Sequence, residues 1–180
     1  MNPVILFKHF DEHFVDKILA LKEDLSWYKG HVQVEPGQPT RYLRDTRQVE
    51  CYDIDDQWVK DALFQVAQEH NDGMDITHVG EVILLRYRTG GKFTWHSDVL
   101  EGREHQRKLT VVVQLSEPDT YEGGQLQIKK ISTEPFKHRG SVIMFPSNTH
   151  HRVATVTEGV RYSLITWIYG PHHPLDKDWH

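Results

Sequence analysis

Leu109-Thr110-Val111-Val112-Val113-Gln114-Leu115 is the run that decides the fold. It is β-branched, too short for a helix and alternates two sets of residues, so it predicts a strand with one face buried. The inward set is either Thr110, Val112 and Gln114 or its alternate. Runs of the same texture recur at Val82 to Tyr87, Phe93 to His96, Gln125 to Ile128, Ser141 to Phe145, His151 to Val156 and Arg161 to Tyr169. Many short strands separated by turn signals, with no helical period between them, predict a sandwich or jelly roll over the last hundred residues.

Before Gly80 the texture is different. From Asp11 to Leu25 the apolar positions fall at spacings of three and four, which predicts a helix with one buried stripe. A second helix is predicted from an N-cap at Asp55 or Asp56 to just before Asn71-Asp72-Gly73. Between them Gly30 to Thr40 reads as a loop, and Gln48 to Ile54 as a strand with Val49, Cys51 and Asp53 on one side. The expected class is α+β, mainly β, with the N-terminal helices packed outside one sheet. A chain of 180 residues without repeats or linkers predicts one domain over 1–180, with helical support over about 1–79 and a core over about 80–170.

Composition removes several functions. Against 26 Asp and Glu stand 21 Lys and Arg, a net charge of −5, which argues against neutralising a nucleic-acid backbone or an anionic membrane. One cysteine, Cys51, excludes an internal disulfide and a thiolate-rich metal site, so any metal must use His and carboxylates. No apolar stretch is long enough to span a bilayer and the first residues do not read as a leader, so a cytoplasmic, intracellular protein is expected.

Tyr87-Arg88-Thr89-Gly90-Gly91-Lys92-Phe93-Thr94-Trp95-His96-Ser97-Asp98 contains an H-x-D pair. On an extended segment His96 and Asp98 point to the same side, where one metal can take a ligand from each. A third ligand from the later segment His150-His151-Arg152-Val153 would complete a two-histidine, one-carboxylate face of the kind that binds Fe(II) and leaves positions open. Only one of the two histidines can face inward. Val153 and Thr155 share the period of His151, whereas His150 falls beside Arg152, so His151 is preferred. Arg161, ten residues beyond on the next strand, can present a planar cation to a carboxylate in the same cavity.

From about Gly80 to Gly170 the sequence resembles the iron(II) and 2-oxoglutarate-dependent dioxygenases of the prolyl 4-hydroxylase type, and among them the bacterial PKHD-type hydroxylases. The resemblance rests on His96-Ser97-Asp98, Tyr121-Glu122-Gly123-Gly124-Gln125-Leu126, His151-Arg152-Val153 and Gly159-Val160-Arg161, in that order. It implies a double-stranded β-helix, with His96, Asp98 and His151 on iron and Arg161 on the distal carboxylate of 2-oxoglutarate. It further implies Tyr87 and Trp167 as pocket residues, O2 as oxidant and ascorbate as an added requirement. Hydroxylation is favoured over halogenation because Asp98 keeps its carboxylate.

Two departures stand out. Hypoxia-sensing relatives suggest Thr110, Val112 and Gln114 as the inward set but carry a tyrosine where Gln114 stands, so Gln114 and Thr110 are expected to share the lost contact. Collagen-type enzymes carry lysine where Arg161 stands. The implied acceptor is a prolyl residue in a peptide or protein, the alternative a free amino acid or other small molecule. Nucleic-acid demethylation and a cupin-like binding module without turnover are the rivals. The charged segments Glu35 to Arg47 and Val99 to Lys108 are expected to cover the barrel mouth, with Arg44 and Arg47 near the cleft. The histidine-bearing tail from Pro171 to His180 reads as a polar terminus.

Overall fold

The computed structural model describes residues 2–21, 26–32, 39, 41–99, 105–129 and 131–171. The elements run β1 (Val4–Leu6), α1 (Glu12–Ala20), β2 (Tyr28–Lys29), β3 (Arg47–Gln48), β4 (Glu50–Ile54), α2 (Gln57–His70), β5 (His78–Arg88) and β6 (Lys92–His96). They continue with β7 (His105–Gln114), β8 (Tyr121–Gly123), β9 (Leu126–Ile128), β10 (Val142–Pro146), β11 (His151–Val153) and β12 (Val156–Pro171). The larger sheet has the order β1-β10-β7-β12-β5-β4-β2, with β8 paired to β12, and the smaller has β3-β6-β11-β9. Every ladder is antiparallel.

The alternation in β7 separates two cores. Leu109, Val111, Val113 and Leu115 turn outward with Leu84, Leu164 and Met144, and onto them pack Val15 and Ile18 of α1 and Leu63, Val66 and Ala67 of α2. Val112 turns inward with Leu85, Tyr87, Ile143 and Phe145 to meet Leu126, Ile128 and Val153 of the smaller sheet. The helices therefore cover one side of the larger sheet and the smaller sheet covers the other. This is the layered jelly-roll arrangement that the strand texture predicts.

Local chemistry explains the element ends. Asp11 Oδ1 accepts a hydrogen bond from the Phe14 backbone N–H at 2.8 Å and caps α1, a contact worth about 1 kcal/mol. This helix stops at Ala20, short of the predicted Leu25, and residues 22–25 lie outside the described set. The second helix matches its expectation, from an N-cap at Asp56 to a C-cap at Asn71. In β4 Cys51 joins Val49 in the inner core while Tyr52 and Ile54 turn to the outer one, as the alternation predicts; Asp53, on the side of Cys51, is exposed. The predicted His151 to Val156 run is divided into β11 and the start of β12, which then continues unbroken to Pro171. Among the described residues no helix is long and apolar enough to cross a membrane. The C-terminal histidines beyond Pro171 lie outside the described residues, as do parts of both segments expected at the barrel mouth.

Candidate active site

The inner faces of the two sheets carry the polar residues that the sequence singled out. His96 closes β6 and His151 opens β11, and the two are register partners across that ladder. Asp98 follows two residues after His96, held by its backbone N–H donating to Ser147 O at 2.7 Å. One donor atom from each of His96, Asp98 and His151 falls within 4.8 Å of the others. His96 Nε2 stands 3.6 Å from Asp98 Oδ1, and His151 Nε2 stands 3.5 Å from Asp98 Oδ2.

The same device sets the tautomer of both rings. His96 Nδ1 lies 2.7 Å from Thr94 O, and His151 Nδ1 lies 2.9 Å from Thr149 O. A carbonyl only accepts, so each Nδ1 must carry the proton, and each Nε2 lone pair is left facing the carboxylate. Burial, and then the facing His151, push the His96 imidazole down to about 4. Asp98 is also pushed, upward by burial, but His151, His96 and hydrogen-bond donors outweigh that and hold it below the usual carboxylate range. Both shifts favour the metal-binding forms, a neutral imidazole and an ionised carboxylate. His150 is exposed and lies outside the cluster, whereas His151 is 3% exposed.

Around the triad the side chains brace one another. Thr110 Oγ1 donates to Asp98 Oδ2 at 2.8 Å and sits 3.2 Å from Ser147 Oγ. Thr110 thus braces the Asp98 carboxylate, on the same inward face of β7 as Gln114. Trp167, its register partner on β12, turns its indole N–H toward Asp98 and lowers its pKa while stopping short of a well-formed hydrogen bond. The Arg107 guanidinium lies 3.5 Å over the Trp167 ring. Phe93 stacks on His96 with ring centroids 3.5 Å apart, and Arg47 caps Phe93 at 4.8 Å. Arg44 is exposed and reaches Gln48 at 3.4 Å.

Arg161 lies on the same inward face of β12, 2% exposed and paired in register with Tyr87. Its Nε donates to Gln114 Oε1 at 3.1 Å. The Gln114 amide then donates to Tyr121 OH at 3.0 Å and to Ser116 O at 3.2 Å. Gln114 therefore orients the guanidinium and satisfies backbone at once. Tyr87, buried and with its hydroxyl pushed up to about 12 by burial, lies 5.7 Å from the guanidinium. Gly124, at φ 65°, lets the chain pass close by, for a Cβ there would meet Arg161 Cδ at 3.2 Å and Val156 Cγ2 at 2.8 Å. No carboxylate pairs with Arg161 among the described residues.

The residues fit both groups that the sequence implies. Two neutral nitrogens and one carboxylate suit a divalent metal that keeps open positions. A buried guanidinium without a carboxylate, beside a Ser163 hydroxyl that is 1% exposed and has no hydrogen-bond partner among the described residues, suits an anionic ligand. Sequence reasoning missed Ser163, Tyr121 and Ser147. Period two from Arg161 would have found Ser163, whereas Tyr121, opening β8, and Ser147, just past β10, are brought to the site only by the fold.

A double-stranded β-helix with a two-histidine, one-carboxylate cluster between its sheets defines a class of non-haem oxygenases. Residues 82–169 match the family model of the 2OG-Fe(II) oxygenase superfamily. A PKHD-type hydroxylase of Parvibaculum lavamentivorans is 36% identical over 89 residues, 48% of this chain and 41% of that one. The chain thus matches less than half the length of that relative. Among solved structures, a Pseudomonas putida prolyl-4-hydroxylase superposes with a TM-score of 0.72 at 18% identity, covering 94% of this chain and 93% of its own. A Trichoplax adhaerens prolyl hydroxylase in complex with a hypoxia inducible factor oxygen degradation domain peptide fragment gives 0.71 at 15% identity, covering 93% and 83%. These likenesses establish the fold.

Proposed function

We propose that this chain is an iron(II)- and 2-oxoglutarate-dependent dioxygenase that hydroxylates an unactivated carbon, with a prolyl residue in a peptide or protein as the acceptor. The observation that carries the reading is the inward face of β7 and β12. It holds Thr110 at the Asp98 carboxylate and Gln114 at Arg161, on the order of 13 Å apart along one strand. A dicarboxylate can lie between a metal held at one end of this face and the buried guanidinium at the other.

In this reading His96, Asp98 and His151 hold the metal, with both rings locked by their Nδ1 hydrogen bonds. Arg161, oriented by Gln114, grips the distal carboxylate, and the free Ser163 hydroxyl donates to it. Tyr87 and Trp167 line the pocket and exclude water. When bound, iron(II) would hold the keto acid and O2 together, and 2-oxoglutarate would supply two electrons and leave as succinate and carbon dioxide. Ascorbate enters as an added reductant to vary in the assay.

The prolyl acceptor rests on the names of the relatives and on the peptide held by the Trichoplax enzyme. A mass screen with Fe(II), 2-oxoglutarate and O2 tests it, comparing Pro-containing peptides with free amino acids. A one-oxygen gain on a peptide proline is the expected result. Gain on a free amino acid alone would replace the acceptor, and gain on neither would reject the prolyl assignment.

A further inference from the structure

The strands that supply His96 and His151 have a second face, which the oxygenase reading does not use. Trp95, beside His96, turns outward and is 40% exposed. Arg152, beside His151, turns outward with it, and its guanidinium lies 5.0 Å from the Trp95 ring. Lys129, just past β9, approaches the same ring at 5.6 Å. Both helices pack on the other sheet, so among the described residues neither helix covers this face.

Beside the indole runs an open groove of about 570 Å³, bordered by Trp95, Gln127, Ile131 and Thr133. Ile131 is 37% exposed, so two large apolar side chains meet solvent in one place. Neither cation is neutralised among the described residues. Arg152 Nε donates to the neutral Gln127 Oε1 at 2.7 Å, and Glu134, which also borders the groove, pairs with Lys137. On a chain of net charge −5 this is a local excess of positive charge around an exposed indole.

We infer that this face is an exosite for an acidic segment of the protein substrate, whose carboxylates meet Lys129 and Arg152 while an apolar side chain packs on Trp95 and Ile131. The inference rests on the protein-hydroxylase reading and adds how the substrate is chosen: by acidic sequence remote from the hydroxylated residue. Charge complementarity selects this occupant over single-stranded nucleic acid. Two cations neutralise too few phosphates to track a backbone, and the remaining charge of the chain repels one.

Fluorescence anisotropy with a labelled peptide of alternating Glu and Leu, a Lys and Leu counterpart and oligothymidine tests the assignment. The acidic peptide should bind tightest and weaken with salt. Its affinity should fall at least about tenfold in Trp95→Ala and in Lys129→Glu, and stay unchanged in Phe7→Ala, an exposed site away from the groove. Equal binding by wild type and Lys129→Glu, or tighter binding of oligothymidine, would overturn the proposal. Succinate formation without primary substrate, measured in parallel, separates the two readings. Groove-dependent peptide binding without any succinate would reject the oxygenase and leave the acidic-segment surface standing.

Discussion

His96 and His151 stand opposite each other as register partners on β6 and β11, their ring centroids 4.2 Å apart, and each anchors Nδ1 to the carbonyl two residues before it. The ligand face is set by the sheet. His151→Ala should therefore abolish Fe(II) binding, because it removes one of three ligands and no other candidate joins the cluster among the described residues. His150→Ala, at an exposed site, should retain one Fe(II) per chain by anaerobic calorimetry. The reverse pattern would exchange the two histidines.

Thr110→Val keeps the shape of the site and deletes the 2.8 Å hydrogen bond to Asp98. Hydrogen-bond partners of metal ligands commonly govern affinity by about 10- to 100-fold. Fe(II) affinity should fall by that order while the thermal unfolding midpoint changes little. Unaltered affinity would remove Thr110 from the metal site.

Arg161→Ala should raise the 2-oxoglutarate concentration needed by an amount equivalent to about 2 to 5 kcal/mol while sparing Fe(II) affinity. Arg161→Lys should be milder. Gln114→Glu is the sharper test of the network, because a carboxylate at the position of Oε1 would pair with Arg161 and repel the dicarboxylate. Half-saturation should rise more in Gln114→Glu than in Gln114→Leu. A rise of equal size in both would mean that Gln114 contributes packing alone.

The pH dependence of the metal-free protein follows from His96. Its native value of about 4 lies below the ordinary 6.5, so between those values the unfolded chain binds a proton that the native state refuses. Stability should be intact above pH 6.5 and fall as pH drops toward 4. Asp98, also held low, loses its contribution in the same direction at more acid pH. Fe(II) should restore the unfolding midpoint near pH 6 and less so near pH 4.5. An unfolding midpoint that does not fall across this window would contradict the burial of His96.

Legibility in the sequence followed the physics of each level. The alternation at Leu109 to Leu115 marked both faces of β7, because each face meets its own core. Apolar spacing marked α1, and Asp56 stands at the N-cap position the sequence offered for α2, without a side-chain cap hydrogen bond. H-x-D showed because two ligands share one strand period. Short edge strands such as β1 and β3 carried no pattern long enough to read, and they form because a partner strand offers its hydrogen bonds. The Gln114 to Tyr121 contact joins residues whose approach depends on the turn between β7 and β8, so spacing alone could not reveal it. The contact of Thr110 with Asp98 shows the same limit. Strand period gave its face correctly but not which neighbour it would meet there.

Conversion of 2-oxoglutarate to succinate under O2 with added Fe(II), by wild type and by His151→Ala, tests the central claim most directly. Wild type should form succinate in an iron-dependent reaction, slowly alone and faster with an acceptor peptide, and His151→Ala should form none above background. Iron-dependent succinate formation of equal rate in both proteins, or none in wild type with iron bound, would contradict the account.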